Sequence, residues 1–287
     1  MSLDENVRSA LLERLGQWSR MAPTFRGKAR LQRAAQKVLG GVGGAREVEI
    51  EGIRWTLDAA ELIQFRLFWD GAHDAHVLGW LVREARRLER PVVWDVGANI
   101  GDMALLLAKR VPGARVEAFE PSPTVFRMLS GHVLQNPWAA VTARPLGLSN
   151  HNGKVSFFAS NESGNGGVGS LMHAANTQAD AVEVRVARGD TLVESGEVAR
   201  PQLVKMDIEG FEPEALEGLE ATLARYRPLL CVESSAYRLD DRGLRRDAII
   251  SMLEKLDYRV MAVTVEGERA VVKRDLDTDV DLAARPR

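Results

Sequence analysis

The segment KMDIEGFEPEAL, residues 205–216, sets four carboxylates, Asp207, Glu209, Glu212 and Glu214, among apolar residues directly after the apolar lead-in QLV. Lys205 stands in front of them. Charges that lose their water are costly unless they are paired or used. Asp207 or Glu209 could take a proton from a hydroxyl, with Glu233, at the end of PLLCVE, as the second-line candidate. Asp207, Glu209 and Glu233 could instead offer oxygens to Mg²⁺, but acids at adjacent strand ends are too little to assign a metal, and none is expected. Side chains alternate along a strand, so Lys205, Asp207 and Glu209 are expected on one face and Val204, Met206 and Ile208 on the other. Lys205 is expected to pair with Asp207 or Glu233 and hold the cluster charged. Gly210 breaks the strand. Glu212 and Glu214 then have a structural reason to be there, because proline and acids suit the first turn of a helix and its dipole.

A second constellation lies upstream in VVWDVGANIGDMALLLA, which reads as strand, glycine turn and helix. Gly97 and Gly101 let the backbone turn tightly and approach a ligand, and the helix behind them opens with free N–H groups. A dinucleotide-binding turn would read G-x-G-x-x-G. Here Asn99 and Asp102 occupy the second and third glycine positions, which weighs against NAD. The next strand ends in EAFEPS, with Glu120 at its tip and Pro121 after it. An acid about 20 residues past the first turn can accept hydrogen bonds from both hydroxyls of a ribose. The third strand ends in PLGLSN, where Gly147 and Leu148 either flank a bound base or simply turn the chain.

The elements needed to bring these groups together are legible. From residue 91 onward apolar strands alternate with helical stretches, which points to an α/β fold with a mostly parallel sheet and helices on both faces. Ligands in such sheets sit at the carboxyl ends of the strands, near the switch in strand order. Four strands end there in an acid: Asp95, Glu120, Asp207 and Glu233. Upstream, residues 1–45 read as a basic helical N-terminal extension. Leu11, Leu12, Leu15 and Trp18 fall at helical spacing, as do Leu31, Ala34, Ala35 and Val38. Positions 8–37 hold eight basic residues and one acid, Glu13. Such helices can lie on a membrane or an acidic partner, present a solvated face, or serve a homodimer. Residues 46–90 read as a hairpin and a helix leading into the core, 91–275 as the core domain, and 276–287 as a polar, loosely docked tail.

The 287 residues are 45% hydrophobic and 27% charged with a net charge of −2, so no global field favours nucleic acid. A single cysteine, Cys231, cannot form an internal disulfide or a cysteine metal cluster. The five histidines show no H-x-x-x-H pair. No apolar run reaches the ~20 residues of a membrane span, and a cytoplasmic location is expected. The glycine-rich stretch around 160–170 reads as a mobile loop able to close over an acceptor, with His173 beside it as a further, minor candidate base.

The spacing D-x-G-x-N-x-G at Asp95, Gly97, Asn99 and Gly101 resembles motif I of class I S-adenosylmethionine-dependent methyltransferases. DVGANIG, FEPSPTVFRML, GLSNHNGKVSFF, LVKMDIEGFEPEALEGL and RPLLCVE, in this order over residues 70–265, together resemble the FkbM-type methyltransferases. The resemblance implies a class I, Rossmann-like fold and S-adenosylmethionine as methyl donor, held by Asp95, Gly97, Asn99, Gly101, Glu120, Pro121, Gly147, Leu148 and Asp207. It also implies a hydroxyl acceptor on a sugar, polyketide or other secondary metabolite. Asp207 or Glu209 would act as base or orient the acceptor, with Glu233 second and Lys205 as their charge partner. Methylation of RNA or protein, and a non-catalytic adaptor with an idle cofactor pocket, are the alternatives.

Overall fold

The structure, a computed structural model, describes residues 4–39, 44–159, 169–170 and 181–287. The described residues divide near Ala75 into two compact units. The first holds α1 (Glu5–Met21), α2 (Lys28–Leu39), β1 (Arg46–Ile50), β2 (Ile53–Leu57) and α3 (Leu62–Asp70). β1 and β2 form the expected antiparallel hairpin. Its two-residue turn, Glu51 and Gly52, takes φ of 54° and 71°, the paired positive values that suit the strand twist. A Cβ on Gly16 of α1 would come within 2.8 Å of the Phe68 ring of α3, so the glycine is what lets the two helices close. Gln32 of α2 donates to Ser19 Oγ at 2.9 Å and to Asp70 Oδ1 at 2.8 Å. The hairpin and α3 thus belong with the first helices, and the boundary falls near residue 75 rather than at 45 and 90. Helix α3 was not anticipated. Its buried Leu67, Phe68 and Trp69 are consecutive and show no clean helical stripe.

The second unit runs α4 (Ala75–Ala85), β3 (Val92–Val96), α5 (Asp102–Arg110), β4 (Arg115–Phe119), α6 (Pro123–Gln135) and β5 (Val141–Arg144). Then follow β6 (Gly147–Leu148), β7 (Gly153–Ala159), β8 (Gly169–Ser170), β9 (Ala181–Ala187), α7 (Gly189–Glu194) and β10 (Leu203–Met206). The remainder is α8 (Glu212–Glu217), α9 (Glu220–Tyr226), β11 (Leu229–Ser235), α10 (Ala236–Asp241), α11 (Ala248–Lys255), β12 (Tyr258–Thr264), β13 (Gly267–Arg269) and β14 (Asp279–Pro286). Among the described residues the main sheet has eight strands in the order β13-β12-β14-β11-β10-β3-β4-β5. The strands from β11 to β5 are parallel, whereas β14 runs antiparallel to both β11 and β12. A small second sheet, β6-β9-β7-β8, accounts for the strands expected after β5.

Strand order reverses at β3, which pairs with β4 on one side and β10 on the other. Right-handed crossovers that start in opposite directions put their helices on opposite faces. One face carries α5 and α6; the other carries the helices that follow β10 and β11. There Trp94, Val204, Met206 and Val232 pack with Leu216, Leu219 and Leu253 in one buried core. Sequence alternation is what sends these residues to that face and sends Asp95 and Lys205, which are paired in register across β3 and β10, to the other.

The tail expectation fails. Residues 279–286 form β14, and Leu282, Ala283 and Ala284 are fully buried inside the sheet. Of its acids, Asp281 lies 2.9 Å from His76 Nε2.

Candidate active site

The reversal at β3 opens the sheet where its strand ends meet the loops, the usual place for a ligand. After Val96 the chain turns through Gly97, whose φ is 79°. A Cβ there would sit 1.8 Å from the carbonyl oxygen of Asp207. Only glycine lets the ends of β3 and β10 approach this closely. The amides of Gly97 and Ala98 donate to the Phe119 carbonyl at 3.0 and 2.9 Å, tying the turn to the end of β4. Asn99 also takes positive φ, 48°, and Gly101, at 89°, starts α5. Buried His132 of α6 donates through Nδ1 to the Ile100 carbonyl at 2.8 Å. Nothing in the local sequence points to this brace, because it comes from the neighbouring helix.

Asp95, the last but one residue of β3, is 3% exposed, and neither of its oxygens has a hydrogen-bond partner. The Lys205 ammonium is 3.6 Å from Oδ1, too far for a hydrogen bond. Burial pushes the Asp95 carboxyl up to about 6, against the pull of Lys205. Glu120, at the end of β4, accepts from Asn99 N at 3.1 Å and Ser122 N at 2.8 Å. Burial nonetheless raises it to about 7. Ser122 also caps α6, with Pro123 at the first turn, so one short segment both positions the acid and starts the helix. Pro121 stands against Gly147: a Cβ on that glycine would meet the proline ring at 3.5 Å. The Leu148 side chain is 1% exposed and belongs to the core.

Strand β10 ends at Met206, so alternation stops before the acids that follow. Lys205 Nζ donates to the Gly97 carbonyl at 3.1 Å and lies 3.5 Å from Asp207 Oδ2. Burial pulls its pKa down, but Asp207, Asp95, Asp102 and Glu233 together outweigh that and raise it, so the ammonium stays charged. The expected Lys205–Asp207 pair is present, and Asp95 rather than Glu233 is the second partner. Glu233, at the end of β11, lies beside Asp207, with a carboxylate oxygen of each within 4.8 Å of the other. Repulsion from Asp207, followed by burial, drives Glu233 far above the carboxylate range. Both effects favour the neutral acid of Glu233 over its carboxylate.

Glu209 lies at the edge of this cluster: burial, and then repulsion from Asp207, raise its carboxyl above the usual range. Its φ of 58° turns it aside, and it pairs with Arg238 of α10 at 3.0 Å. Glu212 joins the cluster from the helix that follows. It is buried, accepts from Ile208 N at 2.7 Å and is pushed by burial up to about 7. One carboxylate oxygen each from Asp207, Glu212 and Glu233 lies within 4.8 Å of the others. The sequence signal for Glu212 was its position two residues after the strand-breaking Gly210, which a helix-dipole reading already explained. Arg238 had no signal, being on a helix 29 residues further along. The expected acceptor loop around 160–170, apart from Gly169 and Ser170, lies outside the described residues, as does His173. A cleft lined by Leu12, Val48, Leu57 and Phe68 belongs to the first unit and contains none of the expected site residues.

The description "Methyltransferase FkbM domain" matches residues 95–260, a span that holds every strand-end acid discussed above. The hexuronic acid methyltransferase AglP of Haloferax volcanii is 36% identical over 177 residues, covering 62% of this chain and 68% of AglP. The 2-O-methyltransferase NoeI of Sinorhizobium fredii is 24% identical over 179 residues, covering 58% of this chain and 72% of NoeI. The crystal structure of the FkbM methyltransferase from Methylobacillus flagellatus aligns with 68% of this chain and 43% of its own, at 21% identity and a TM-score of 0.44.

Proposed function

The chain belongs to the FkbM methyltransferase family, and from that premise we propose that it methylates a hydroxyl group of a small, saccharide-like molecule with S-adenosylmethionine as donor. The relatives named for a hexuronic acid and for 2-O-methylation support the acceptor class. The residues present suit the donor. Asp95 is a buried carboxylate whose oxygens have no hydrogen-bond partner, of the right sign for the ammonium group of the cofactor. Glu120 offers carboxylate oxygens for ribose hydroxyls. Gly97 and Gly101 keep the turn between them free of side chains. Bound there, S-adenosylmethionine would supply a methyl group carried on positively charged sulfur.

The observation that carries the reading is the Asp207–Glu233 pair beside Lys205 at the switch point of the sheet. A hydroxyl is a poor nucleophile until a base takes its proton. Asp207 is the group placed to do so: it lies 3.5 Å from the Lys205 ammonium and beside Glu233, and the proton taken from the hydroxyl would pass to the Asp207 carboxylate. Lys205 and Glu233 position and tune Asp207. They need not touch the acceptor.

The test pairs binding with turnover. Asp207→Asn is expected to lower kcat by ~10²–10⁴-fold, while calorimetric titration with S-adenosylhomocysteine still shows binding. Glu120→Ala is expected to lose that binding, and NADH is expected to bind neither protein. Full turnover in Asp207→Asn with the cofactor still bound would remove the base assignment; binding of NADH alone would remove the donor.

A further inference from the structure

The first unit carries an apolar surface that its own core does not use. Helix α1 buries Leu12 and Ser19 and closes on α3 at Gly16. A different stripe of the same helix stays open: Val7, Leu11, Trp18 and Met21 are between 41% and 73% exposed. Their spacing of four, seven and three residues keeps them along one line of the helix. The Trp18 ring meets the Phe25 ring at 6.3 Å, which extends the stripe into the turn before α2. On α2 the same thing happens. Gln32 and Leu39 are buried while Leu31 and Val38 are 50% and 68% exposed. Of the positions at helical spacing on α2, Leu31, Ala34 and Val38 are exposed and Ala35 is half-buried.

Charge decides what could cover this surface. Arg14, Arg26, Arg30, Arg33 and Lys37 are exposed and make no ion pair among the described residues. Arg20 and Lys28 are instead spent within the unit, on Phe68 O and Asp70. A second copy would bring one set of unpaired cations against another. An anionic lipid surface matches both features: apolar side chains enter the acyl boundary, tryptophan sits at the headgroup level, and arginines meet phosphates. No helix among the described residues is long and apolar enough to cross a membrane, so the fit is to lying on the surface. We propose that α1 and α2 form a peripheral docking face for anionic lipid headgroups. This assignment is independent of the methyl-transfer reading, which concerns the other unit.

The full chain would be sedimented with vesicles of equal parts phosphatidylglycerol and phosphatidylcholine, and with phosphatidylcholine vesicles alone. Partition onto the anionic vesicles only is expected, and it should weaken as salt is added. Trp18→Ser with Met21→Ser, and separately Arg30→Glu with Arg33→Glu, should each lower partition by about tenfold. All four positions are exposed, so the variants should fold, and their circular dichroism and cofactor titration should match the parent. No partition onto anionic vesicles, equal partition onto neutral ones, or parental partition in both double variants would each overturn the proposal. So would sedimentation equilibrium showing a dimer that Trp18→Ser dissolves, because the stripe would then be occupied by a second copy.

Discussion

The two acids of the K-x-D-x-E-G segment look interchangeable on paper, yet their surroundings separate them. Asp207 faces a buried lysine and Glu233; Glu209 is repelled by Asp207 but makes its ion pair with the partly exposed Arg238. Glu209→Gln is therefore expected to keep turnover within about tenfold of the parent, a loss of the size expected from an ion pair of this kind. The same kinetic assay on Asp207→Asn gives the contrast, and equal damage from both would put the two acids in one role. Gly97 has the least freedom of any residue in the site. Gly97→Ala combines a positive φ with a Cβ driven into the Asp207 carbonyl. It should destabilise the fold by about 2–4 kcal/mol, measured by urea unfolding, and lose cofactor binding at temperatures where the variant is still folded.

At the scale of elements, the sequence was most legible where one signal had one structural meaning. Apolar strands ending in acids announced β3, β4, β10 and β11, and the glycine turn announced the start of α5. It was least legible where a local signal had two adequate explanations. Glu212 satisfied a helix dipole and also the amide of Ile208, and only the second puts it beside Asp207. Alternation predicted one face for Lys205, Asp207 and Glu209, but β10 stops at Met206 and the turn takes over. The segment 279–286 shows the converse error. Its acids drew attention away from Val280, Leu282 and Ala284, whose two-residue period marks a strand. Leu282→Ala is expected to cost ~2–5 kcal/mol by urea unfolding, as for a core leucine; an effect under about 0.5 kcal/mol, the ordinary range for surface sites, would mean the segment is not seated as described.

At the scale of the whole molecule, several buried acids titrate together. Asp95, Glu120 and Glu212 have folded pKa values of about 6, 7 and 7, each above the ordinary carboxylate value. Between about pH 4 and about pH 7 the folded protein thus binds more protons than the unfolded chain, so stability falls as pH rises through that window. The ligand-free midpoint of thermal unfolding should be lower at about pH 8 than at about pH 5.5, and Glu120→Gln should flatten the slope. A midpoint that rises over this range would contradict the buried state of these acids. The placement of β14 carries a different consequence, for synthesis. It fills the gap between β11 and β12 but follows both in the chain. While it is still being translated, β11 presents an unpaired edge and the β12–β13 hairpin has nowhere to dock. That interval is when a nascent chain is open to strand capture by its neighbours. Chains stalled or cleaved before Asp279 should accumulate as chaperone clients or aggregates rather than as slightly shortened enzyme.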